Sequence, residues 1–318
     1  MMKTILVPLD GSPLAERALP HAEAIARATN ARIVLVRVAH EPVLPGANTA
    51  QARMLVMRDA DAYVTAVADR LRAAGLATDT GVVYGGVAAG IMAEATSREA
   101  DVIVMATHGR GGLGRLVYGS VAEAVLRGSA VPLLLMRAWQ DDTPHLPFSG
   151  RPRIIVPLDG SSFAEEALPV AASLGMALGG ELVLLHAVSP FEQAFLLEAT
   201  LPDFPQREAE RAAQAREYLR TLVARSATGG CQVHLDVRLD VPTRAIEAAV
   251  RDHDAALVVM ATHGRTAVGQ MVLGSVANTI LQHTQVPLAL VRPRQLRVTT
   301  QAAGSAEAVS QARAVPVL

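Results

Sequence analysis

The stretch VIVMATHGRGGLGRLVYGSVAEAVL (Val102–Leu126) joins an apolar run to a helix-like pattern through a glycine-rich segment. Three of its glycines, Gly109, Gly111 and Gly114, spell G-x-G-x-x-G, the arrangement of a dinucleotide-binding loop. The opening returns as LVVMATHGR (Leu257–Arg265), but the residue equivalent to Gly111 is threonine there. A dinucleotide fingerprint therefore does not describe what the two copies have in common.

Two further observations exclude the familiar glycine loops. The dinucleotide fingerprint follows the first strand of its unit, whereas this segment follows the fourth predicted strand. A P-loop needs lysine and then serine or threonine, and Arg115 stands at the lysine position. What both copies share is Thr-His-Gly-Arg, then a glycine followed by Ser-Val. Nine residues separate Gly109 from Gly119 and Gly264 from Gly274.

The whole chain is a duplication. The segment ILVPLDGS (Ile5–Ser12) recurs as IIVPLDGS (Ile154–Ser161), and VPLLLMR recurs as VPLALVR. The repeat is far too long for a solenoid unit, so it indicates two homologous domains. We place the domains at residues 1–139 and 152–294, with a linker at 140–151 rich in Pro, Asp, Ser and Gly. Residues 295–318 have no counterpart in the first copy and are expected to form a flexible tail.

Within each copy, short aliphatic runs alternate with amphipathic helical patterns. In the first copy the predicted strands are Thr4–Pro8, Arg32–Val38, Thr78–Val83, Val102–Ala106 and Val131–Met136. The predicted helices are Leu14–Thr29, Thr49–Ala74, Ala88–Arg98 and Val121–Arg127. Pro20 and Pro169 are expected to kink the first helix of each copy. This alternation predicts an α/β fold in which each domain is a doubly wound, five-stranded parallel sheet.

Composition excludes several classes. The formal net charge is −1 over 318 residues, so the chain lacks the excess of positive charge that is typical of nucleic-acid binding. No apolar run approaches the roughly 20 residues that span a bilayer, and the first residues do not resemble a secretion signal. Cys231 is the single cysteine, so no disulfide framework forms. A cytoplasmic protein is expected.

The shared residues suit an anion. Gly109 and Gly264 can turn the chain at a strand end, and Arg110 and Arg265 supply positive charge. Helix N-termini bind phosphate through free N–H groups. The helix starts are Gly119, Ser120 and Val121, and Gly274, Ser275 and Val276. An alternative for the serines alone is helix capping, because Ser120 precedes Glu123 at capping-box spacing.

These motifs together resemble the universal stress protein family, in its ATP-binding branch, over about residues 1–138 and 152–293. The resemblance implies two flavodoxin-like, HUP-type domains that bind ATP or a related adenine nucleotide, with or without Mg²⁺, and no structural metal. It implies that Asp10 and Asp159 contact adenine or ribose and that Val38 and Ala187 contact the base through the backbone. It also implies that Met105, Ala106, Met260 and Ala261 line the adenosine pocket, and that the helix starts and preceding glycines hold the phosphates.

One departure occurs in both copies, since the first glycine of the family motif is Ala106 and Ala261 here. We assign no catalytic residue and no metal ligand, because His108 and His263 lack partners at ligand spacing. The preferred function is nucleotide-dependent regulation in a stress response. A slow ATPase or nucleotide-dependent transferase, and a partner-binding protein with degenerate sites, stay open. The resemblance suggests that the last strands of the copies pair as an intramolecular pseudo-dimer, with a homodimer as a further assembly.

Overall fold

The computed structural model describes the following residues: 2–40, 49–108, 119–138, 148, 150–189, 204–263 and 273–293. The predicted tail (295–318) lies outside the described residues, as does most of the predicted linker (140–151). No helix in the described part of the chain is long and apolar enough to cross a membrane.

The first repeat alternates strands and helices in the predicted order. Its strands are β1 (Thr4–Pro8), β2 (Arg32–Ala39), β3 (Thr78–Tyr84), β4 (Val102–His108) and β5 (Leu133–Ala138). Its helices are α1 (Pro13–Glu16), α2 (Leu19–Thr29), α3 (Thr49–Ala73), α4 (Val87–Ser97) and α5 (Ser120–Gly128). The predicted first helix is divided into α1 and α2 just before Pro20, as the proline predicts.

The second repeat has the same plan. Its strands are β6 (Arg153–Leu158), β7 (Glu181–Ala187), β8 (Val233–Arg238), β9 (Ala255–Ala261) and β10 (Leu288–Val291). Its helices are α6 (Ser162–Glu165), α7 (Ala167–Leu178), α8 (Phe204–Arg225), α9 (Pro242–Asp252) and α10 (Ser275–His283). Pro169 again lies at the start of the longer helix, one turn after the short one ends.

All ten strands form one sheet, in the order β3-β2-β1-β4-β5-β10-β9-β6-β7-β8. Every neighbouring pair is parallel except β5 and β10, which are antiparallel. The predicted α/β class with doubly wound parallel sheets is confirmed, and within that class each repeat has the strand order 3-2-1-4-5. The pairing of the two last strands is also confirmed, with Leu134 opposite Ala289 at its centre.

Apolar residues pack on both faces of this sheet, which explains why its strands are nearly continuous aliphatic runs. Along β1, Ile5 and Val7 belong to one core layer and Leu6 to the other, and all three side chains are fully buried. The first layer is covered by α2, α3, α7 and α8, and the second by α4, α5, α9 and α10. Helices α2 and α7 contact each other across the boundary between the repeats.

An ion pair at the end of α4 packs against the outer strand of the first repeat. The Arg98 Nε lies 3.3 Å from Glu94 Oε2. A Cβ added to Gly81 on β3 would lie 2.9 Å from the Glu94 carboxylate. A side chain on the strand would therefore displace the carboxylate that the helix supplies.

The second repeat reverses this arrangement. Asp236 on β8 stands at the position of Gly81, and Ala249 on α9 stands at the position of Glu94. The His253 Nε2 lies 3.0 Å from Asp236 Oδ2, so histidine replaces Arg98 as the partner. Both repeats therefore pair a carboxylate with a basic group here, although the carboxylate comes from a different element in each.

We call the antiparallel pairing of β5 with β10 the seam. We expect the fold to be destabilised when a buried side chain at the seam is shortened. Replacing Leu134, which is fully buried, with alanine should lower the free energy of unfolding by about 2–5 kcal/mol. Chemical denaturation measures this loss. The control is Leu55→Ala, because Leu55 is 54% exposed, and its change should stay within about 0.5 kcal/mol. A Leu134→Ala protein as stable as the control would contradict the seam as described.

Candidate functional site

The strand order reverses between β1 and β4 in the first repeat, and between β6 and β9 in the second. Helices leave neighbouring strands toward opposite faces at such a point, so a crevice opens beyond the carboxyl ends of the strands. A cavity occupies this crevice in each repeat, with a volume of about 370 Å³ in the first and 290 Å³ in the second. We call them cavity one and cavity two.

The structure brings the site residues predicted from the sequence together in both cavities. Those that line cavity one are Asp10, Val38, Met105, Ala106, Gly119, Ser120 and Val121. Those that line cavity two are Asp159, Ala187, Met260, Ala261, Gly274, Ser275 and Val276. The remaining predicted residues, Gly109, Arg110, Gly264 and Arg265, lie outside the described residues.

The helix start at cavity one differs from the capping-box alternative. Gly119, with φ −60° and ψ 152°, is the N-cap of α5, and no side chain of the described residues caps the helix. Ser120 is the first helical residue and is exposed, so its hydroxyl does not act as the cap. The capping box is therefore wrong, because the register of the helix places the serine one residue too late. The first N–H groups of α5 keep no partner within the helix and face the cavity end of the repeat.

The same geometry recurs at cavity two, where Gly274 is the N-cap of α10 without a side-chain bond. The Gly274 N–H donates to the Thr262 carbonyl at the end of β9, over 2.8 Å. A Cβ on Gly274 would lie 3.1 Å from that carbonyl oxygen, closer than side chains normally pack. The close approach of strand end and helix start explains glycine at this position.

The LDGS segments form a tight turn over the other side of each cavity. The Asp10 Oδ1 accepts a hydrogen bond from the Ser12 N–H over 2.8 Å, and the Ser12 Oγ caps α1 by accepting from Ala15. Gly11 has φ +88°, which favours glycine. Asp159 makes the matching bond to the Ser161 N–H over 3.0 Å. The turn therefore holds one carboxylate oxygen of each aspartate in place, and both aspartates line their cavities.

A Glu–Tyr–Arg cluster, which the sequence reasoning missed, braces this turn. The Tyr63 hydroxyl on α3 donates to Glu16 Oε1 on α1 over 2.9 Å, and Arg70 donates to Glu16 Oε2 over 2.8 Å. In the second repeat, Tyr218 and Arg225 bind Glu165 over 3.1 and 2.6 Å. The chain has only four tyrosines, so the recurrence of Tyr-x₆-Arg in both copies was the signal that could have found this cluster.

The cluster shifts the pKa values of Glu16 and of both tyrosines. The hydrogen bond from Arg70 holds the pKa of Glu16 below its ordinary value of 4.5, and the Tyr63 hydroxyl acts in the same direction. Burial raises the pKa of the Tyr63 phenol above 10.0, and the adjacent Glu16 carboxylate raises it further. Burial likewise raises the pKa of Tyr218. The phenols therefore stay neutral donors at physiological pH.

The two cavities differ where the long helix and the second strand meet them. Helix α3 contributes Val56 and Asp59 to cavity one, whereas no described residue of α8 lines cavity two. Arg37 also lines cavity one and lies over the Tyr63 ring, 4.9 Å from its centroid. His186 stands at the position of Arg37 in the second repeat. The cavities are therefore built on one plan but carry different polar side chains.

The sequence predicts no catalytic or metal-binding role for His108 and His263. The His263 Nδ1 lies 3.1 Å from Thr262 Oγ1 beside cavity two, while nothing is described of the His108 side chain. Among the described residues, no group of three His, Cys, Asp or Glu side chains is placed to hold a metal ion. The described polar groups of the cavities can donate and accept hydrogen bonds, which suits binding of a polar ligand.

Comparison with known families gives a match at both repeats. The model of the "Universal stress protein family" matches residues 1–137 and 150–292. The chain belongs to the universal stress protein family. The resemblance predicted from the LDGS, THGR and Gly-Ser motifs is thereby confirmed.

Relatives within the family share the tandem plan or single repeats of it. The universal stress protein Rv2005c of Mycobacterium tuberculosis is 31% identical over 204 residues, covering 62% of this chain and 63% of the relative. The chain therefore matches less than two thirds of that relative's length. A universal stress protein of Thermus aquaticus is 34% identical over 138 residues, covering 43% of this chain and 100% of the relative.

Solved structures agree on the fold. The crystal structure of a universal stress protein from Archaeoglobus fulgidus has a TM-score of 0.68 and covers 91% of this chain and 98% of that chain. Its sequence identity is 22%, so the likeness concerns the fold alone. The tandem α/β architecture of the described residues is thus one already seen within the family.

We expect the tyrosine hydroxyls to stabilise the fold. Tyr63→Phe keeps the ring under Arg37 but removes the donor to Glu16, so the free energy of unfolding should fall by about 1 kcal/mol. Tyr218→Phe should lose a similar amount in the second repeat. Chemical denaturation measures both. Tyr84→Phe is the control, since its ring contact with Arg53 (4.2 Å) is kept, and it should change stability by under about 0.5 kcal/mol.

The lowered pKa of Glu16 predicts a pH dependence. Because the folded pKa lies below the unfolded one, the charged carboxylate stabilises the fold at neutral pH, and this contribution is lost as the pH falls through the folded pKa. The Tm of the unmodified protein should therefore exceed that of Glu16→Gln at pH 7, with the gap closing below the ordinary value of 4.5. Thermal melts across that range test this, and a gap that widens on acidification would refute it.

Proposed function

We propose that this universal stress protein binds ATP, or a related adenine nucleotide, in both cavities, and that nucleotide occupancy regulates its role in a cytoplasmic stress response. The observation that carries the proposal is the convergence, in each repeat, of an uncapped helix start with the ends of β1 and β4 or of β6 and β9. Free N–H groups at a helix N-terminus, beside an open and partly apolar cavity, suit a ligand with an anionic end and an aromatic end.

Each part of the nucleotide has a matching part of the cavity. The helix starts at Gly119 and Gly274 would hold phosphate oxygens, with Ser120 and Ser275 as additional donors. The Asp10 and Asp159 carboxylates accept hydrogen bonds, so they suit the ribose hydroxyls or the adenine amino group. The apolar lining of cavity one, which includes Val38, would pack against the base.

Ala106 and Ala261 line the cavities at the position where the family motif has glycine. Both lie at the carboxyl ends of central strands, in ladders with the neighbouring strands. An alanine side chain there adds one methyl group to the cavity wall and leaves the backbone path of the strand regular. We propose that the nucleotide is accommodated beside this methyl in both repeats.

A negative charge introduced at each helix start tests the proposal. Ser120 and Ser275 are the exposed first residues of their helices. The helix dipole stabilises a negative charge at this position, so glutamate should not weaken the fold. The same glutamate repels phosphate. Nucleotide released from the denatured protein, identified by mass spectrometry, should amount to two per chain in the unmodified protein after ATP loading. Ser120→Glu and Ser275→Glu should each retain one, and the double variant none.

The control is Gln214→Glu, which adds the same charge at an exposed position in the middle of α8, a helix none of whose described residues lines a cavity. It should bind as many nucleotides as the unmodified protein. The proposal fails if the unmodified protein releases no nucleotide and added ATP does not raise its Tm. Sustained formation of ADP, lost in the double variant, would instead assign slow ATP hydrolysis to the same sites.

A further inference from the structure

Arg292 reaches from the second repeat into the first. It follows β10 directly, and its Nη1 donates a hydrogen bond to the Arg127 carbonyl in the last turn of α5. Helix α5 begins at cavity one and ends at this contact. The helix that presents its N-terminus to cavity one is therefore held at its other end by the second repeat.

The register of the seam explains this contact. In the antiparallel pair, Leu288 lies opposite Leu135 and Leu290 opposite Leu133. Two further residues along β10 bring Arg292 level with Val131, in the short connection between α5 and β5. The guanidinium thus meets the C-terminus of α5 because the two last strands are paired in this register.

The contact matters because α5 is short. A nine-residue helix is marginal without tertiary support, and its last carbonyls have no partner within the helix. A cation at the C-terminus satisfies a carbonyl and opposes the negative end of the helix dipole. Its loss would fray the helix and weaken the alignment of the N–H groups at Gly119 and Ser120.

The same segment also adjoins cavity two. Val291, next to Arg292, accepts a hydrogen bond from the Thr262 N–H over 2.9 Å. The Thr262 carbonyl in turn accepts from Gly274, the N-cap of α10, over 2.8 Å, and both residues line cavity two. Arg292 therefore lies between the two cavities: its own hydrogen bond holds the end of α5, and its neighbour Val291 is hydrogen-bonded to the lining of cavity two.

We propose that Arg292 is a positioning residue for the first nucleotide site, supplied by the second repeat. The inference rests on the proposed function, because it assumes that the start of α5 binds phosphate. Site one is then complete only when β10 is paired with β5. Arg292 affects how the phosphates of the ligand are bound at the start of α5. It does not affect the nucleoside, which is bound by the strand ends.

The test uses the full chain carrying Ser275→Glu, so that only site one binds. Arg292→Ala in this background should raise the Kd for ATP about two- to fivefold, the size expected for losing a cation at a helix C-terminus. The Kd for adenosine should stay unchanged, because adenosine lacks the phosphates that face α5. Arg292→Lys keeps a cationic donor and should restore most of the ATP affinity. Calorimetric titration measures each value.

The matched control is Arg153→Ala. Arg153 donates to the His253 carbonyl over 3.1 Å at the C-terminus of α9, so it makes the same type of contact at a helix that does not border cavity one. It should leave both affinities unchanged. Equal losses of ATP and adenosine affinity in Arg292→Ala, or no loss at all, would overturn the inference. If the Ser275→Glu parent binds no ATP, the proposed function itself fails for site one, and the inference fails with it.

Discussion

The antiparallel pairing of β5 with β10 is the contact on which the remaining architecture depends. A strand that is buried on both faces still presents unpaired N–H and C=O groups at a bare edge, which invites aggregation. Pairing removes one such edge from each repeat and produces a single ten-stranded sheet. The same register brings α2 against α7 and carries Arg292 to the end of α5. The two repeats therefore share one continuous sheet across the seam.

The cavities follow from the way each half of the sheet is wound. Because the order reverses between β1 and β4, the loops leaving these strands diverge and leave a space between them. The Asp10 turn bounds one side of that space and the start of α5 bounds the other. The Glu16–Tyr63 bond braces the turn from outside the cavity. The turn that carries Asp10 is thus braced by a contact that lies outside the cavity.

The two repeats keep the same types of interaction at equivalent positions even where the residues that make them differ. Glu94 over Gly81 in the first repeat corresponds to Asp236 on the strand in the second, so the carboxylate lies on a different element in each repeat while its contact with a basic side chain persists. Arg37 has become His186, and each still packs on a tyrosine of the long helix. Such paired changes are expected where burial of a charge without its partner would be costly.

The sequence by itself determined the class of fold, the duplication and part of the lining of each cavity. Strands buried on both faces are aliphatic runs in the sequence. Residues at or after the carboxyl ends of such strands, such as Ala106 and Asp10, must gather at one edge of a parallel sheet. Tertiary structure alone decided that Gly119 rather than Ser120 caps α5, because helix register depends on how the strand end meets the helix. It also decided the contacts of Tyr63 and Arg292, which join residues far apart in the chain. A local sequence pattern predicts which face of a helix or strand a residue occupies. The residue that it contacts on another element is decided by packing and by the register of the seam.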